Sequence, residues 1–267
     1  MMNTAATSHG QGLTVLTPSD SFGFTCHPEL ACFTRCCRNI TIFLTHYDIL
    51  RLKNALAMSS DEFLQRFTVT MIGKNGLPLV ALKMNDDAQK NCPFVTSAGC
   101  SLYPDRPWAC RVYPLQPESS PITEKAGRQY YSIMDVPFCH GLGNAPVRTV
   151  QEWLNEQGIP EYQAMETPFK KIIDHPWLTD HPLENDTVRQ MVYMASYDLD
   201  RFRRFIFESS FLDQFEIDSG EVSEIKDDDA ALFRFAMKWL EYGLIGQQAL
   251  HLKPAVMAAK KEALGVT

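Results

Sequence analysis

The chain has 267 residues, 45% of them hydrophobic, and a formal net charge of -7 at pH 7. A chain of this length can build one large or two smaller apolar cores, so it does not need a metal merely to compensate for small size. The net negative charge argues against a nucleic acid partner. No apolar run approaches the roughly 18 residues of a membrane span. Because residues 1–16 also lack the pattern of a secretory signal, we expect a cytoplasmic protein, with neither nucleic acid nor a membrane as its partner.

Residues 1–17 are polar, and we predict that they form a flexible tail. The rest of the first half of the chain has an irregular hydrophobic pattern. Capping hydroxyls predict one helix over 45–57 and another over 60–67. Alternating apolar residues predict short strands over 77–84 and 130–136. Between the two strands the prolines predict a loop that neither a helix nor a sheet holds in place. These prolines are Pro93, Pro104, Pro107, Pro114, Pro117 and Pro121.

The second half of the chain has the apolar spacing of helices. The predicted helices cover 149–157, 161–174 with an interruption at Pro168, 187–212, and a last stretch from Asp228 or Asp229 to just before Gly243. We place a boundary near Pro146, which gives a cysteine-bearing domain over 18–144 and a helical domain over 145–267. The predicted fold class is mainly α, with a small irregular α+β cysteine-rich metal-binding region and a helical C-terminal half.

All eight cysteines lie in the first of these domains, between Cys26 and Cys139. In a reducing compartment thiols stay free instead of forming disulfides, and cysteines that only filled a core would be scattered along the chain. Their concentration in one region indicates a common task. They form two groups, with Cys26, Cys32, Cys36 and Cys37 in the first and Cys92, Cys100, Cys110 and Cys139 in the second.

A bound metal explains both the grouping of the cysteines and the proline-rich loop. Four thiolates within about 4 Å of one another repel by roughly 4 kcal/mol per pair at an effective dielectric constant near 20, so they gather only around a cation. A structural metal contributes on the order of 10 to 16 kcal/mol to folding, which is enough to order an unsupported loop. We therefore predict all eight cysteines as metal ligands, either in one centre drawn from both groups or in two separate sites.

The spacing of the cysteines favours an iron-sulfur cluster, of the 4Fe-4S type, over zinc. Zinc fingers and ribbons usually show two pairs spaced C-x2-4-C, and only Cys32 with Cys36 has that spacing here. The adjacent Cys36 and Cys37 do not easily point at one ion, whereas a cluster presents several corners. The alternative is that one of this adjacent pair packs in the core while the other binds the metal.

Short motifs around the cysteines match the pattern of a known family. They include Cys32, Cys36 and Cys37 followed by Leu44, Thr45, Asp48 and Arg51, and then Cys92-Pro93-Phe94, Gly99-Cys100-Ser101-Leu102-Tyr103, Arg106-Pro107, Cys110-Arg111 and Tyr113-Pro114. With these motifs the chain resembles the YkgJ-like cysteine-cluster family, which is described by a zinc- or iron-chelating domain. The segments 149–158 and 200–239 also resemble the helical tail of bacterial members. The opening spacings C-x5-C and C-x3-C are wider than the C-x2-C of the family.

The resemblance implies metal chelation and leaves open whether the chain is an enzyme. A distant relative with a similar cysteine motif, the flagellin lysine N-methylase, makes a protein-modifying enzyme one alternative. A zinc-stabilised interaction module whose helical half binds a protein partner is another. Near the metal, Arg106, Arg111 and Asp48 are candidates for hydrogen bonds and charge balance that support the ligands, with ordinary surface ion pairs as the alternative.

Overall fold

The structure is a computed structural model that describes residues 15–118, 129–246 and 249–264. Its α-helices span His46–Ala55, Ser60–Phe67, Trp108–Val112, Val150–Glu156, Ile159–Ile173, Pro176–Asp180, Asp186–Tyr197, Leu199–Glu208, Phe211–Gln214, Ser219–Asp227, Asp229–Ile245 and Pro254–Leu264, and short 3-10 helices span Arg35–Cys37 and Tyr103–Asp105. Its strands span Val15–Leu16, Ser21–Phe24, Thr68–Ile72, Pro78–Leu82, Val95–Thr96, Gly99–Cys100, Leu115–Glu118, Tyr130–Ile133, Leu142–Thr149, Phe215–Glu216 and His251–Leu252. The prediction of a mainly α fold with small sheets is confirmed.

The described residues form two compact units. The first unit consists of residues 15–36, 110–118 and 129–159, and the second of residues 37–109, 160–246 and 249–264. In these described ranges no helix is long and apolar enough to cross a membrane. The predicted tail over 1–17 lies mostly outside the described residues, and the predicted domain boundaries stay predictions.

Two small antiparallel sheets frame the first unit. One pairs Ser21–Phe24 with Leu142–Thr149, and the other places Tyr130–Ile133 between Val15–Leu16 and Leu115–Glu118. The prediction that neither a helix nor a sheet supports the proline-rich segment is wrong, because the segment contains the helix Trp108–Val112 and because Pro117 pairs with Tyr131. Within residues 15–118 and 129–246 the strand Leu115–Glu118 lies at the edge of its sheet, where proline is tolerated because one side of the strand has no partner there. Pro121 lies outside the described residues.

Aromatic rings form the core of the first unit. Phe22 and Phe24 are buried, and each meets the ring of Trp153 edge-on, with centroid distances of 6.1 and 5.4 Å. The indole of Trp153 donates its N–H to the carbonyl oxygen of Val112 at 3.3 Å. This tryptophan lies on the helix Val150–Glu156, so its burial fixes the helix against the strand that leads to the first cysteine.

The second unit has a helical core. Its longest helix, Asp229–Ile245, buries Leu232 and Phe233 completely and packs against Asp186–Tyr197 and Leu199–Glu208. Complete burial of a side chain of this size stabilises a fold by about 1.5 to 3 kcal/mol. Packing of apolar side chains alone therefore gives the second unit a substantial core.

The capped helices predicted near the start of the second unit are confirmed. His46–Ala55 begins after Thr45, whose hydroxyl accepts from the backbone N–H of Asp48 at 3.0 Å while the Asp48 carboxylate accepts from the backbone N–H of Thr45 at 2.8 Å. Ser60–Phe67 follows a serine cap. The predicted strand over 77–84 is present as Pro78–Leu82.

The prediction of one long helix over 187–212 is wrong, because Asp198 ends one helix and begins the next. Its carboxylate accepts from the backbone N–H of Arg201, as an N-cap does, and also from the hydroxyl of Ser60 at 2.6 Å. The apolar spacing continues through the break, so spacing alone does not reveal it.

Two predicted helix boundaries are also wrong. Ile159–Ile173 continues through Pro168, since buried apolar side chains on both sides of the proline hold the helix in the core. Asp229–Ile245 continues through Gly243 and ends at Gly246, which has a φ of 67°. A glycine in this left-handed conformation is the usual stop signal of a helix.

Candidate metal centre

Four of the eight cysteines surround one small cavity of the first unit. The cavity is lined by Phe24, Thr25, Cys26, Leu30, Cys32, Cys36, Tyr113, Phe138, Cys139 and Gly141. Cys32 is buried, Cys36 and Cys139 are half-buried, and Cys26 is exposed. The volume of the cavity is about 20 Å³, enough for roughly one water-sized atom.

Strand pairing brings the first and the last of these cysteines together. Cys26 follows the strand Ser21–Phe24, and Cys139 precedes its partner strand Leu142–Thr149. The backbone N–H of Thr25 donates to the carbonyl oxygen of Gly141 at 3.1 Å. A Cβ atom on Gly141 would lie only 2.1 Å from the carbonyl oxygen of Thr25, so this close approach of the two chains requires glycine.

Tight turns place the other two cysteines at the same cavity. The backbone N–H of Phe33 donates to the carbonyl oxygen of Leu30 at 2.8 Å, and that of Arg35 donates to the carbonyl oxygen of Cys32 at 2.9 Å. Cys36 then lies in the 3-10 helix Arg35–Cys37. The segment thus folds back on itself and directs two more thiols toward the cavity.

Hydrogen-bond donors accompany the sulfur atoms. The backbone N–H of His140 donates to Cys32 Sγ at 3.2 Å. The hydroxyl of Tyr113 is buried beside the thiol of Cys139 and makes no hydrogen bond of good geometry among the described residues. Burial, and after it the neighbouring Cys139, raise the pKa of Tyr113. A buried hydroxyl without a partner carries a desolvation cost, which a hydrogen bond to a thiolate would remove.

The electrostatics of the cavity disfavour thiolates in the absence of a cation. Desolvation of its thiol, followed by the proximity of Cys36, Cys32 and Cys139, raises the pKa of Cys26 to about 11. Negative charge at the other three sulfurs therefore makes ionisation of Cys26 harder. A positive ion reverses this effect, because metal binding deprotonates the thiols that it recruits.

Three further cysteines belong to the second unit. The backbone N–H of Cys92 donates to the carbonyl oxygen of Cys37 at 2.8 Å. Cys100 lies in the short hairpin that follows, where it pairs with Val95. Burial, with a further contribution from Cys100, raises the pKa of Cys92. Burial also raises the pKa of Cys100, and the nearby Arg106 opposes that rise.

The eighth cysteine, Cys110, lies on the helix Trp108–Val112. Across the part of the chain that the structure describes, no three His, Cys, Asp or Glu side chains adopt the close arrangement of a complete metal site. The four thiols of the cavity are thus neighbours that surround a small space, and their role as ligands, like that of the other four cysteines, stays a prediction.

Arg106 and Arg111, which the sequence predicts to support the ligands, are both buried and have different surroundings. The guanidinium of Arg106 lies 3.9 Å from the ring centroid of Tyr103 and donates to the carbonyl oxygen of that residue at 2.6 Å. Arg111 donates to the carbonyl oxygen of Gln157 at 2.9 Å. Arg106 therefore has the clearer link to a cysteine, through its effect on Cys100.

Asp48, the third predicted supporting residue, is completely buried. Its carboxylate accepts from the backbone N–H of Trp108 at 2.7 Å in addition to closing the cap at Thr45. Asp48 thus binds the first residue of the helix that carries Cys110.

Sequence reasoning missed Tyr113 as a residue of the cavity. Tyr113 appears in the sequence only as part of a Tyr-Pro motif, three positions after Cys110. That proximity to a cysteine was the available signal, but spacing alone does not show that the hydroxyl is buried and lines the cavity.

Comparison with known proteins gives one family match. Residues 25–135 match the model of the family CxxCxxCC, described as a putative zinc- or iron-chelating domain. The match includes seven of the eight cysteines and ends before Cys139. No curated protein and no solved structure matches the chain. The match confirms the family resemblance over this segment and supports metal binding in general.

Proposed function

We propose that the chain binds a metal through the thiolates of Cys26, Cys32, Cys36 and Cys139, in keeping with the match of residues 25–135 to the CxxCxxCC family model. The observation that carries this proposal is that these four cysteines line one cavity of the first unit. Four thiolates are the donor set of many structural zinc sites and of iron-sulfur proteins. A metal bound there supplies the positive charge that lets four ionised sulfurs lie side by side.

The size of the cavity favours a single tetrahedral ion, with zinc as the first candidate. A space of about 20 Å³ suits one ion better than a cluster of several iron and sulfide atoms. The expectation of a cluster depended on Cys36 and Cys37 serving the same centre. Of this pair, Cys36 is the one among the described lining residues.

An iron-sulfur cluster is the second candidate, favoured by the donors around the sulfurs. The N–H of His140 already donates to Cys32, and the hydroxyl of Tyr113 is buried beside Cys139. Hydrogen bonds to sulfur are one of the means by which proteins set the reduction potential of such clusters. With iron the centre would transfer electrons, whereas with zinc its role would be structural.

Metal and sulfide analysis of anaerobically purified protein tests the proposal. We expect a colourless protein that contains zinc and no stoichiometric sulfide. A brown protein with iron and an equal amount of acid-labile sulfide would support the cluster instead. Protein that contains neither metal, although it is folded and was prepared without chelator, would overturn the proposal.

We predict that Tyr113→Phe has opposite effects on the metal-free and the metal-loaded protein. Without metal, the substitution removes a buried hydroxyl that has the thiol of Cys139 beside it but no hydrogen bond of good geometry, and it should raise the free energy of unfolding. With metal, it removes a hydrogen bond to a bound thiolate and should weaken metal binding by about 10-fold, since residues that support ligands typically contribute 10- to 100-fold. Urea unfolding and competition with a chelator measure the two effects.

Tyr130→Phe is the matched control, because Tyr130 belongs to the same unit but does not line the cavity. The control variant should bind metal as tightly as the wild-type protein. If both phenylalanine variants release metal at the same rate, the hydroxyl of Tyr113 has no special relation to the metal.

A further inference from the structure

We propose that the strand Thr68–Ile72 of the second unit is the docking site for an extended segment of a partner protein, apolar at its centre and acidic at both ends. The segment would add a strand to the outer side of Thr68–Ile72, the side that faces away from Pro78–Leu82. In this mode of recognition backbone hydrogen bonds supply affinity and alternate side chains supply specificity. The inference does not depend on the metal proposed for the first unit.

The outer side has no partner strand within the described residues, where Thr68–Ile72 pairs with Pro78–Leu82 alone. The N–H of Gly73 donates to the carbonyl oxygen of Leu77 at 2.9 Å, which continues that pairing beyond the end of the strand. Successive residues of a strand direct their backbone groups to opposite sides, so the groups of Thr70, three positions before Gly73, point outward. Thr70 therefore offers a backbone donor and acceptor to an added strand.

The strand also lacks the features by which proteins usually protect a sheet edge from pairing. It contains no charged residue and no proline, and it pairs with Pro78–Leu82 residue for residue, without a bulge. The opposite edge of this small sheet is covered, because the N–H of Leu44 donates to the carbonyl oxygen of Val80 at 2.8 Å. A further strand can therefore join the sheet at Thr68–Ile72.

One face of the sheet carries an exposed apolar patch beside this edge. Met71 lies directly opposite Leu79, and Val69 and Phe43 both lie opposite Ala81. Residues that lie opposite each other, or two positions apart in one strand, share a face of the sheet. The four large side chains around the alanine are between 37% and 51% exposed. A contiguous apolar patch of this kind is typical of a surface that binds another protein.

The charged residues around the edge are all basic. Between Gln65 and Asn85 they are Arg66, Lys74 and Lys83, and all three are exposed. None of the three makes an ion pair in the part of the chain that the structure describes. Arg66 precedes the strand and Lys74 follows it, so both ends of the edge are positive in a chain whose net charge is -7. Complementary charge therefore favours a partner segment with acidic ends.

Two other occupants fit the edge less well. Two copies of the chain paired antiparallel about Thr70 would place Arg66 of one copy opposite Lys74 of the other, and like charges opposite each other repel. Segments of this chain also lack the required pattern, because Glu124 is the one acidic residue in the stretches outside the described ranges, which are 1–14, 119–128, 247–248 and 265–267. A separate protein is thus the occupant that the charges favour.

The test measures binding of a fluorescein-labelled peptide, Glu-Glu-Val-Thr-Val-Thr-Val-Glu-Glu, to the full-length protein by fluorescence anisotropy at low ionic strength. Lys74→Glu should weaken binding about 5-fold, since an exposed ion pair contributes a few-fold and its reversal adds a repulsion. Lys171→Glu is the matched control, because Lys171 is an exposed lysine of the same unit and its replacement changes the net charge equally. The control variant should bind the peptide as tightly as the wild-type protein.

A second peptide, with proline in place of the central valine, separates strand pairing from simple charge attraction. It keeps every charge but loses a backbone donor, so it should bind the wild-type protein at least about 10-fold more weakly. Equal binding of the two peptides, equal losses in Lys74→Glu and Lys171→Glu, or no binding of the first peptide would overturn the docking site. A wild-type dimer in light scattering that becomes a monomer in a folded Thr70→Pro variant would show that a second copy occupies the edge, and it would overturn the proposal too.

Discussion

Removal of the metal should open the first unit and leave the helical core of the second unit folded. A structural metal contributes on the order of 10 kcal/mol to folding, and the first unit is framed mainly by short strands. The helix Asp229–Ile245 has completely buried apolar residues that do not depend on a metal. Hydrogen exchange after treatment with a chelator should therefore show faster exchange at residues 25–36 and 139–141, with little change in this helix.

A chelator that has been saturated with zinc beforehand is the control, since it contains the same organic molecule but does not extract metal. If residues 25–36 exchange equally slowly with and without metal, the four cysteines do not depend on a cation for their arrangement. Fast exchange throughout the helix Asp229–Ile245 would show that the metal stabilises far more of the chain than we expect.

Asp48→Asn should lower the free energy of unfolding by about 1 to 3 kcal/mol. The carboxylate of Asp48 is completely buried and accepts from the backbone N–H groups of Trp108 and Thr45. An asparagine side chain has one acceptor oxygen, so one buried N–H would face an amide NH₂ and lose its partner. Urea unfolding of the metal-loaded protein measures the loss.

Glu152→Gln is the matched control for this substitution. Glu152 has the same position in a second capping box, after Thr149, but it is exposed. Its replacement should therefore lower the free energy of unfolding clearly less than Asp48→Asn does. Equal losses in the two variants would show that the burial of Asp48 does not matter.

The effect of Asp48→Asn should also depend on pH. Burial raises the pKa of Asp48 to about 7 in the folded protein, above its usual value near 3.8. The folded state thus binds the proton of Asp48 more tightly than the unfolded state does. This difference contributes to the free energy of unfolding; the contribution is fully present below about pH 4 and is lost as the pH rises through 7. The loss caused by the substitution should be larger at pH 5 than at pH 8, and a loss that grows with pH would contradict this assignment.

Elements with strong local signals could be predicted from the sequence. The helix His46–Ala55 and the helix Val150–Glu156 both begin with a capping box, which acts within four residues and is visible in the sequence. The break at Asp198 escaped prediction because it depends partly on the hydroxyl of Ser60, far away in the chain. The strand with Pro117 escaped for a similar reason, since only its partner shows that it lies at an edge.

For the candidate site, the sequence identified the cysteines but not how they are grouped. It separated them by position, with Cys139 in the later group, whereas the structure brings Cys139 to Cys26, Cys32 and Cys36. This arrangement follows from the pairing of Ser21–Phe24 with Leu142–Thr149. Cysteine spacing carries no information about such pairing, because the strands are separated by most of the first half of the chain.

The position of Cys139 at this cavity has a consequence for the synthesis of the protein on the ribosome. About 100 residues must be translated after Cys36 before Cys139 is made, which takes roughly 5 to 20 seconds at 5 to 20 residues per second. During that interval a nascent chain presents three of the four thiols without the last. With the ligand set that we propose, an ion captured early would be bound by three thiolates, and the fourth would join only as the strand after Cys139 emerges and pairs with Ser21–Phe24.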